Sequence, residues 1–308
     1  MISLGFDTSN YTTSIAAFDG TSWENVSMLL PVKAGELGLR QSEALFSHIK
    51  RLPDLSGRLF ERLDPMQLCA VGVSTRPRAV EGSYMPCFLA GVSQASVLAS
   101  ALHVPLHRFS HQQGHIAAVL WSAGRLDLLG TEFYAWHLSG GTTELLQVRT
   151  TPKGQIDCER IGGTTDISAG QLLDRTGQRL GLDFPAGKAI DALSDEVTKG
   201  DYFRVKVHEA SFSLSGVENQ LSDFLERGAS KAEAAYFALR SVVDAVKAAT
   251  DNIRKIRELP VVFSGGVASN AMLRSRLPEG VFGAPELSTD NAMGIALLAW
   301  LQQKTDQG

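Results

Sequence analysis

The sequence reads as an α/β protein of two related lobes, and three observations carry that reading. A pattern of apolar strand, polar turn and apolar strand occurs twice, at residues 2–18 and again at 133–148. A buried-type strand at 260–263 runs into a glycine loop and a short helix. Amphipathic helical stretches alternate with these strands, which is the arrangement of helices packed on sheets.

Taken in order, residues 2–6 form an apolar strand, 7–13 a turn rich in hydroxyl groups, and 14–18 the returning strand. Residues 83–107 carry no acidic or basic side chain apart from His103 and His107, but Ser93, Gln94, Ser96 and Ser100 dilute the run with polar atoms. A buried small-residue helix fits this segment better than a membrane span, where those groups could not be satisfied. Ser110 stands where it would cap a helix beginning at His111. Residues 133–138 and 145–148 repeat the hairpin around Ser139-Gly140-Gly141-Thr142-Thr143. Residues 231–257 place Phe237, Leu239, Val242, Val243, Val246 and Ile253 on one broad stripe of a long helix. The strand at 260–263 continues into Ser264-Gly265-Gly266-Val267-Ala268-Ser269-Asn270, then a helix over 271–276, and a last apolar helix follows at 292–301. A division near residues 120–130 separates lobes at 1–125 and 126–308, the last helix being able to pack back on the first lobe.

Composition narrows the function classes. Hydrophobic residues make up 44% and charged residues 20%, which supports packed cores and excludes wholesale disorder. A net charge of −4 excludes a polycation that grips phosphate backbones over its whole surface, so any nucleic-acid contact must be local. Lys33, Arg40, Lys50, Arg51, Arg58 and Arg62 alternate with Glu36, Glu43, Asp54 and Glu61, the pattern of a solvated helix face. Cys69, Cys87 and Cys158 are odd in number and widely spaced, which fits reduced thiols better than disulfides or a cysteine zinc site. The opening residues lack the basic segment of a signal peptide, so a cytoplasmic setting without membrane attachment is expected.

Two sets of residues could carry chemistry. His111 and His115 are one helical turn apart and project from one face, a metal-ligand spacing. Gln112 stands where a zinc protease would carry its glutamate base. A third ligand is available in Asp290, which taken alone reads as a helix N-cap. The glycine loops at Ser139-Gly140-Gly141 and Gly265-Gly266 let backbone amides approach phosphate oxygens, although each alone is also an ordinary tight turn.

As an ordered set these residues resemble the TsaD family of tRNA threonylcarbamoyladenosine synthase components, once named O-sialoglycoprotein endopeptidases. The resemblance rests on Gly5-Phe6-Asp7-Thr8-Ser9, His111-Gln112-Gln113-Gly114-His115, Ser139-Gly140-Gly141, Asp174-Arg175-Thr176 with Leu180-Gly181-Leu182-Asp183-Phe184-Pro185, Phe212-Ser213-Leu214-Ser215-Gly216, the 264–270 loop, and Thr289-Asp290-Asn291. It implies an actin-like, sugar-kinase-like (ASKHA) fold with a ligand cleft between its lobes. It also implies one divalent metal, iron or zinc, held by His111, His115 and Asp290. An adenine nucleotide or threonylcarbamoyl-adenylate is then expected on Leu138, Ser139, Gly140, Gly141, Thr142, Asp174, Gly187, Asp191, Gly265, Gly266 and Asn270. The implied partners are tRNA, a smaller homologous protein and an ATPase, in a homo- or heterodimer.

Departures from the family pattern fall at the expected reaction centre. Tyr11-Thr12 stands where the family usually has Asp-Glu, leaving Asp7 and Thr12 as the expected catalytic residues. Arg76-Pro77-Arg78 replaces a glycine-rich loop, Thr142 a His or Asn, Gln171 a Glu, and Glu218 a Lys. The resemblance therefore implies an acyltransferase that places threonylcarbamoyl on N6 of the tRNA adenosine beside the anticodon, with a non-catalytic or regulatory paralogue binding metal and nucleotide as the alternative. The metalloprotease reading lacks its base.

Overall fold

The computed structural model describes residues 1–9, 11–31, 39–151, 154–288 and 291–306. Its elements are β1 (Ile2–Asp7), β2 (Thr12–Phe18), β3 (Trp23–Leu29), α1 (Gln41–Phe60), β4 (Leu68–Arg76), α2 (Phe88–Leu102), β5 (Leu106–Ser110) and α3 (His111–Ser122). The chain continues through β6 (Glu132–Leu138), β7 (Thr143–Thr150), β8 (Ile156–Thr164), α4 (Ala169–Leu180), α5 (Gly187–Ser194), β9 (Val207–His208), β10 (Ser211–Phe212), α6 (Ser215–Glu226) and α7 (Lys231–Ile256). It closes with β11 (Val261–Ser264), α8 (Ala271–Arg276), β12 (Val281–Phe282), α9 (Pro285–Ser288) and α10 (Met293–Asp306). Two compact units emerge: one of residues 1–131, 149–157 and 286–308, the other of 132–148 and 158–285.

The first unit is built on a sheet of order β3-β2-β1-β4-β5. β1 pairs antiparallel with β2 and parallel with β4, and β4 runs parallel with β5, so β1, β4 and β5 all end at one edge. α1 and α2 cover one face, where Leu4, Phe6, Ile15, Val71 and Val73 meet Leu52, Leu55, Leu59 and Ala95. α10 lies against β1 and β4 so closely that a Cβ on Gly5 or Gly72 would meet its backbone at 2.5 and 2.8 Å. Gly294 of α10 and Gly114 of α3 meet in the same way, a Cβ on Gly294 falling 1.9 Å from the Gly114 carbonyl. The last helix is therefore a structural member of the unit that begins the chain.

The second unit repeats the plan. Its sheet runs β12-β11-β6-β7-β8-β10-β9, and the stretch β8-β7-β6-β11-β12 reproduces the order of the first sheet with the same hairpin followed by parallel strands. The repeat read from the two hairpin patterns is thus a duplication of sheet order. α4, α6 and α7 pack on one face around Trp136, Leu138, Leu145, Phe263 and Val242. α7 begins with a capping box between Ser230 and Glu233. The short strands β9 and β10 escape sequence reading because two residues show no periodicity.

α2 differs from its sequence reading in one respect. One side packs on the sheet through Phe88, Ala90, Ala95 and Ala99, but Leu89 is 47% and Val97 69% exposed, so the helix is half-buried. Absence of charge along a helix marks a weakly hydrated surface as readily as a buried one. Among the described residues no helix is long and apolar enough to cross a membrane. Cys69, Cys87 and Cys158 are thiols rather than disulfides, Cys87 buried and Cys69 partly so. On α1, Arg58 pairs with Asp54 at 2.9 Å, as a solvated face would; Lys33 and Glu36 lie outside the described residues.

Candidate functional site

In the first unit, the carboxyl ends of β1, β4 and β5 bring one cluster together. β5 ends at Ser110, the expected cap, whose hydroxyl accepts from the Gln113 amide while the Gln113 side chain accepts from the Ser110 amide at 2.7 Å, completing a capping box. The α3 backbone is tied to the end of β4, where the Gln112 amide donates to the Pro77 carbonyl at 3.0 Å. These bonds fix the first turn of α3 and hence the aim of both imidazoles.

His111 and His115 are both buried, and their Nε2 atoms converge to 2.9 Å. The Nδ1 of His111 donates to Oδ2 of Asp7 at 2.8 Å, and Oδ1 of Asp7 accepts from the Ser9 amide at 2.9 Å. The Phe88 ring stands beside His111. Two nitrogens bound to one zinc at ~2.0–2.1 Å lie only a few tenths of an ångström farther apart than this pair. A carboxylate on the far ring nitrogen is the usual support for a metal-binding histidine, since it sets the tautomer and raises ligand basicity. The donor set therefore fits a divalent cation. Among the described residues no third His, Cys, Asp or Glu completes a group of three ligands. Asp290, the expected third ligand, lies outside the described residues. Asn291, next to it, accepts from the Met293 amide at 3.0 Å and holds the first turn of α10.

Asp7 thus stands behind His111 and fixes the orientation of its ring. Thr12 begins β2 opposite Leu29, half-buried, with its amide donating to the Ser9 carbonyl at 3.3 Å.

In the second unit the glycine loops sit side by side at the ends of β6 and β11. Gly265 has φ +91°, and a Cβ there would lie 2.3 Å from the Leu138 carbonyl, so only glycine permits this approach. The turn Ser139-Gly140-Gly141-Thr142 closes with the Ser139 amide donating to the Thr142 carbonyl at 2.8 Å. Ser168, the N-cap of α4, donates to the Gly140 carbonyl at 2.7 Å. Gly140, Gly141 and Gly266 are exposed.

The expected nucleotide acceptors fall into two pairings. Asp191 of α5 accepts from Asn270 Nδ2, and Asn270 in turn caps α8 by accepting from the Leu273 amide at 3.0 Å. Asp174 accepts from the Ala186 amide at 2.9 Å, next to Gly187 at the start of α5. Burial pushes both carboxyls above the usual range, opposed only in part by those hydrogen bonds.

Departures noted in the sequence have local reasons. Gln171 completes the α4 capping box by accepting from the Ser168 amide at 3.0 Å. Glu218 bridges Arg175 at 2.8 Å and Arg179 at 3.5 Å. Asp166, which sequence reading missed, accepts from Ser213 Oγ and from the amides of Leu214 and Ser215, fixing the loop before α6. Partial burial of Asp166 works the other way, but these bonds prevail and hold its carboxyl well below the usual range. An Asp two residues before a helix N-cap serine is the only local signal for it.

A family model described as tRNA N6-adenosine threonylcarbamoyltransferase, TsaD, matches residues 37–297. The chain belongs to the TsaD family. The tRNA N6-adenosine threonylcarbamoyltransferase of Thermus thermophilus is 32% identical over 269 residues, spanning 82% of this chain and 77% of the relative. That of Mycoplasmopsis synoviae is 28% identical and covers 99% of both chains. Among solved structures, Thermococcus kodakarensis HypF aligns over 99% of this chain and 48% of its own length, at TM-score 0.60 and 14% identity. The (R)-2-hydroxyglutaryl-CoA dehydratase component A of Acidaminococcus fermentans aligns over 99% of both chains at TM-score 0.55 and 14% identity. A ROK family protein from Streptococcus pneumoniae covers both chains fully at TM-score 0.51 and 12% identity. At such identities these likenesses speak to fold alone, and the fold is the actin-like, sugar-kinase-like one. The TsaD motifs His111 to His115, Ser139 to Gly141 and Ser264 to Asn270 all lie within the matched range.

Proposed function

We propose that this chain is a TsaD-type transferase that moves a threonylcarbamoyl group from threonylcarbamoyl-adenylate to the N6 amine of the tRNA adenosine beside the anticodon. The observation that carries the reading is the convergence of His111 and His115 with Asp7 behind His111, in a chain whose relatives bear that activity in their names. In this reaction the amine nitrogen forms a bond to the carbamoyl carbon, the bond from that carbon to the phosphate oxygen breaks, AMP leaves, and the amine gives up a proton.

His111, His115 and Asp290 would hold one iron or zinc ion, and Asp7 would keep His111 in the right tautomer. Bound there, such an ion supplies Lewis-acid polarisation of the carbonyl and charge neutralisation of the leaving phosphate. Exposed and without Cβ atoms, Gly140, Gly141 and Gly266 would let phosphate oxygens approach the loop backbone. Leu138, Ser139, Thr142 and Gly265 shape those loops, with Gly187, Asp174, Asp191 and Asn270 as the nucleoside side of the cradle. Ribose hydroxyls as donors would repay the cost of burying the carboxylates of Asp174 and Asp191. tRNA, a smaller related protein and an ATPase are the partners this reading calls for, in a cytoplasmic setting.

The test is incorporation of labelled threonine into unmodified tRNA by the protein with threonylcarbamoyl-adenylate and partner proteins, beside His111→Ala. Incorporation that disappears in the variant supports the reading; incorporation that persists at full rate overturns the role given to the histidines. A second reading, a paralogue that binds metal and nucleotide without transfer, is favoured by the absence of carboxylates at Tyr11 and Thr12. Transfer gained by Tyr11→Asp with Thr12→Glu would decide for it.

A further inference from the structure

A buried polar row crosses the sheet of the second unit directly beneath the two glycine loops. Parallel pairing sets Ser264 of β11 beside His137 of β6. The turn bond from the Ser139 amide to the Thr142 carbonyl fixes the other side of β6, because an antiparallel register that matches 139 with 142 matches His137 with Glu144 of β7. The bond from the Thr150 amide to the Thr131 carbonyl, farther along the same strands, keeps that register. Serine, imidazole and carboxylate thus occupy consecutive strands on one face, and all three are buried, with His137 5% and Glu144 4% exposed.

Hydrogen bonding orders the row. Ser264 Oγ donates to the Trp136 carbonyl at 3.0 Å, and its one proton is thereby used. Toward His137, 3.1 Å away, it can only accept, which places a proton on His137 Nδ1. At the far end Glu144 lies 3.7 Å from the Arg160 guanidinium of β8, whose nitrogens also donate to the Gly162 and Thr164 carbonyls. The polarity is confined to this level. Two residues back on the same face the strands carry Ala135, Val262 and Leu146, all buried and apolar. Valine or leucine would fill the row at lower cost, since a buried imidazole and carboxylate must be desolvated.

Each member of the row sits at the root of a loop: Ser264 precedes Gly265, His137 precedes Leu138 and Ser139, and Glu144 follows Thr142 and Thr143. We infer that His137, bonded to Ser264 and opposite Glu144 in register, is a positioning residue that sets the separation and aim of the Ser139–Thr142 and Gly265–Ser269 loops for an adenine nucleotide. The inference rests on the reading of those loops as the nucleotide cradle. Through its bond to Ser264 across the parallel pair, the imidazole locks one loop root to the other, as an apolar side chain could not.

The experiment measures ADP binding and backbone hydrogen exchange in the wild-type protein, His137→Leu, His137→Asn, Ser264→Ala and the double variant His137→Leu with Ser264→Ala. Expected results are an ADP Kd raised about tenfold by His137→Leu, the factor of one lost hydrogen bond, largely restored in His137→Asn, which keeps a donor. Adding Ser264→Ala to His137→Leu adds little, because both act through one contact, and exchange rises in both loops. An ADP Kd within about twofold of wild type, additive effects, or exchange that rises in one loop alone overturns the inference. Should His137→Leu not fold, Ser264→Ala carries the test: a raised ADP Kd with faster exchange in both loops supports the inference, and an unchanged Kd with unchanged exchange overturns it. If the wild-type protein binds no ADP, the cradle reading fails, and exchange alone decides the row: faster exchange in both loops sustains their coupling, and unchanged exchange refutes it.

Discussion

His111 Nδ1 donates to Asp7 Oδ2 across 2.8 Å, joining the end of the first strand to the first turn of the third helix. Removing that carboxylate leaves the imidazole free to rotate and to take the wrong tautomer. We expect Asp7→Ala to weaken metal binding about 10- to 100-fold, as loss of such a partner usually does, with His111→Ala weaker still. Competitive zinc titration against a chelator checks this, and an unchanged affinity in Asp7→Ala would remove Asp7 from the site.

Asp174 and Asp191 make a pH signature. Their folded-state pKa values lie above the ordinary carboxylate value of about 3.9. The folded chain therefore binds protons that the unfolded chain has released, and stability falls as pH rises through that window. Asp191→Asn and Asp174→Asn should each raise the neutral-pH Tm while weakening ADP binding, and the gain in Tm should vanish below about pH 4. Melting curves from pH 3 to pH 8 test the sign.

Asp166 behaves oppositely. Its carboxyl is held low by Ser213, Leu214 and Ser215, so its contribution is present above the unfolded value and is lost as pH falls. Asp166→Ala should lower Tm by a few degrees at pH 7. The gap to wild type should narrow below about pH 4. A constant gap would assign the loss to packing instead.

Gly294 faces the Gly114 carbonyl at a distance that leaves no room for a methyl group. Gly294→Ala should push α10 off α3 and cost about 3 kcal/mol or more by urea unfolding. Metal content should fall with it, since α3 carries both histidines. A variant of wild-type stability would mean that the helices separate freely.

Much of this was legible in the chain. The start of α3 could be placed from Ser110 because an N-cap serine is a local signal, and the helix over Ala271–Arg276 because it follows a strand and a glycine loop. The hairpins showed because alternation and turn residues are likewise local. What could not be read were relations across sequence distance. His137 meets Ser264 through a parallel pairing of strands 127 residues apart, and no periodicity encodes that register. Asp7 and His111, 104 positions apart, became partners only once β1 and β5 ended at the same edge. The exposed side of α2 was misjudged because serine and alanine read alike in a core and on a quiet surface.

The return of α10 to the first unit bears on how the protein is made. Ser3 Oγ donates to the Ala296 carbonyl at 2.8 Å, and Gly5, Gly72 and Gly114 are all shaped to receive that helix. A nascent chain that has emerged only as far as residue 131 exposes the face of its first sheet that carries Ser3, Gly5 and Gly72 and lacks the helix that covers it. The second unit, contiguous but for one short excursion, can close while the first still waits. Synthesis therefore completes the start of the chain last, and a ribosome stalled before the final helix holds a histidine cluster whose supporting wall has yet to arrive.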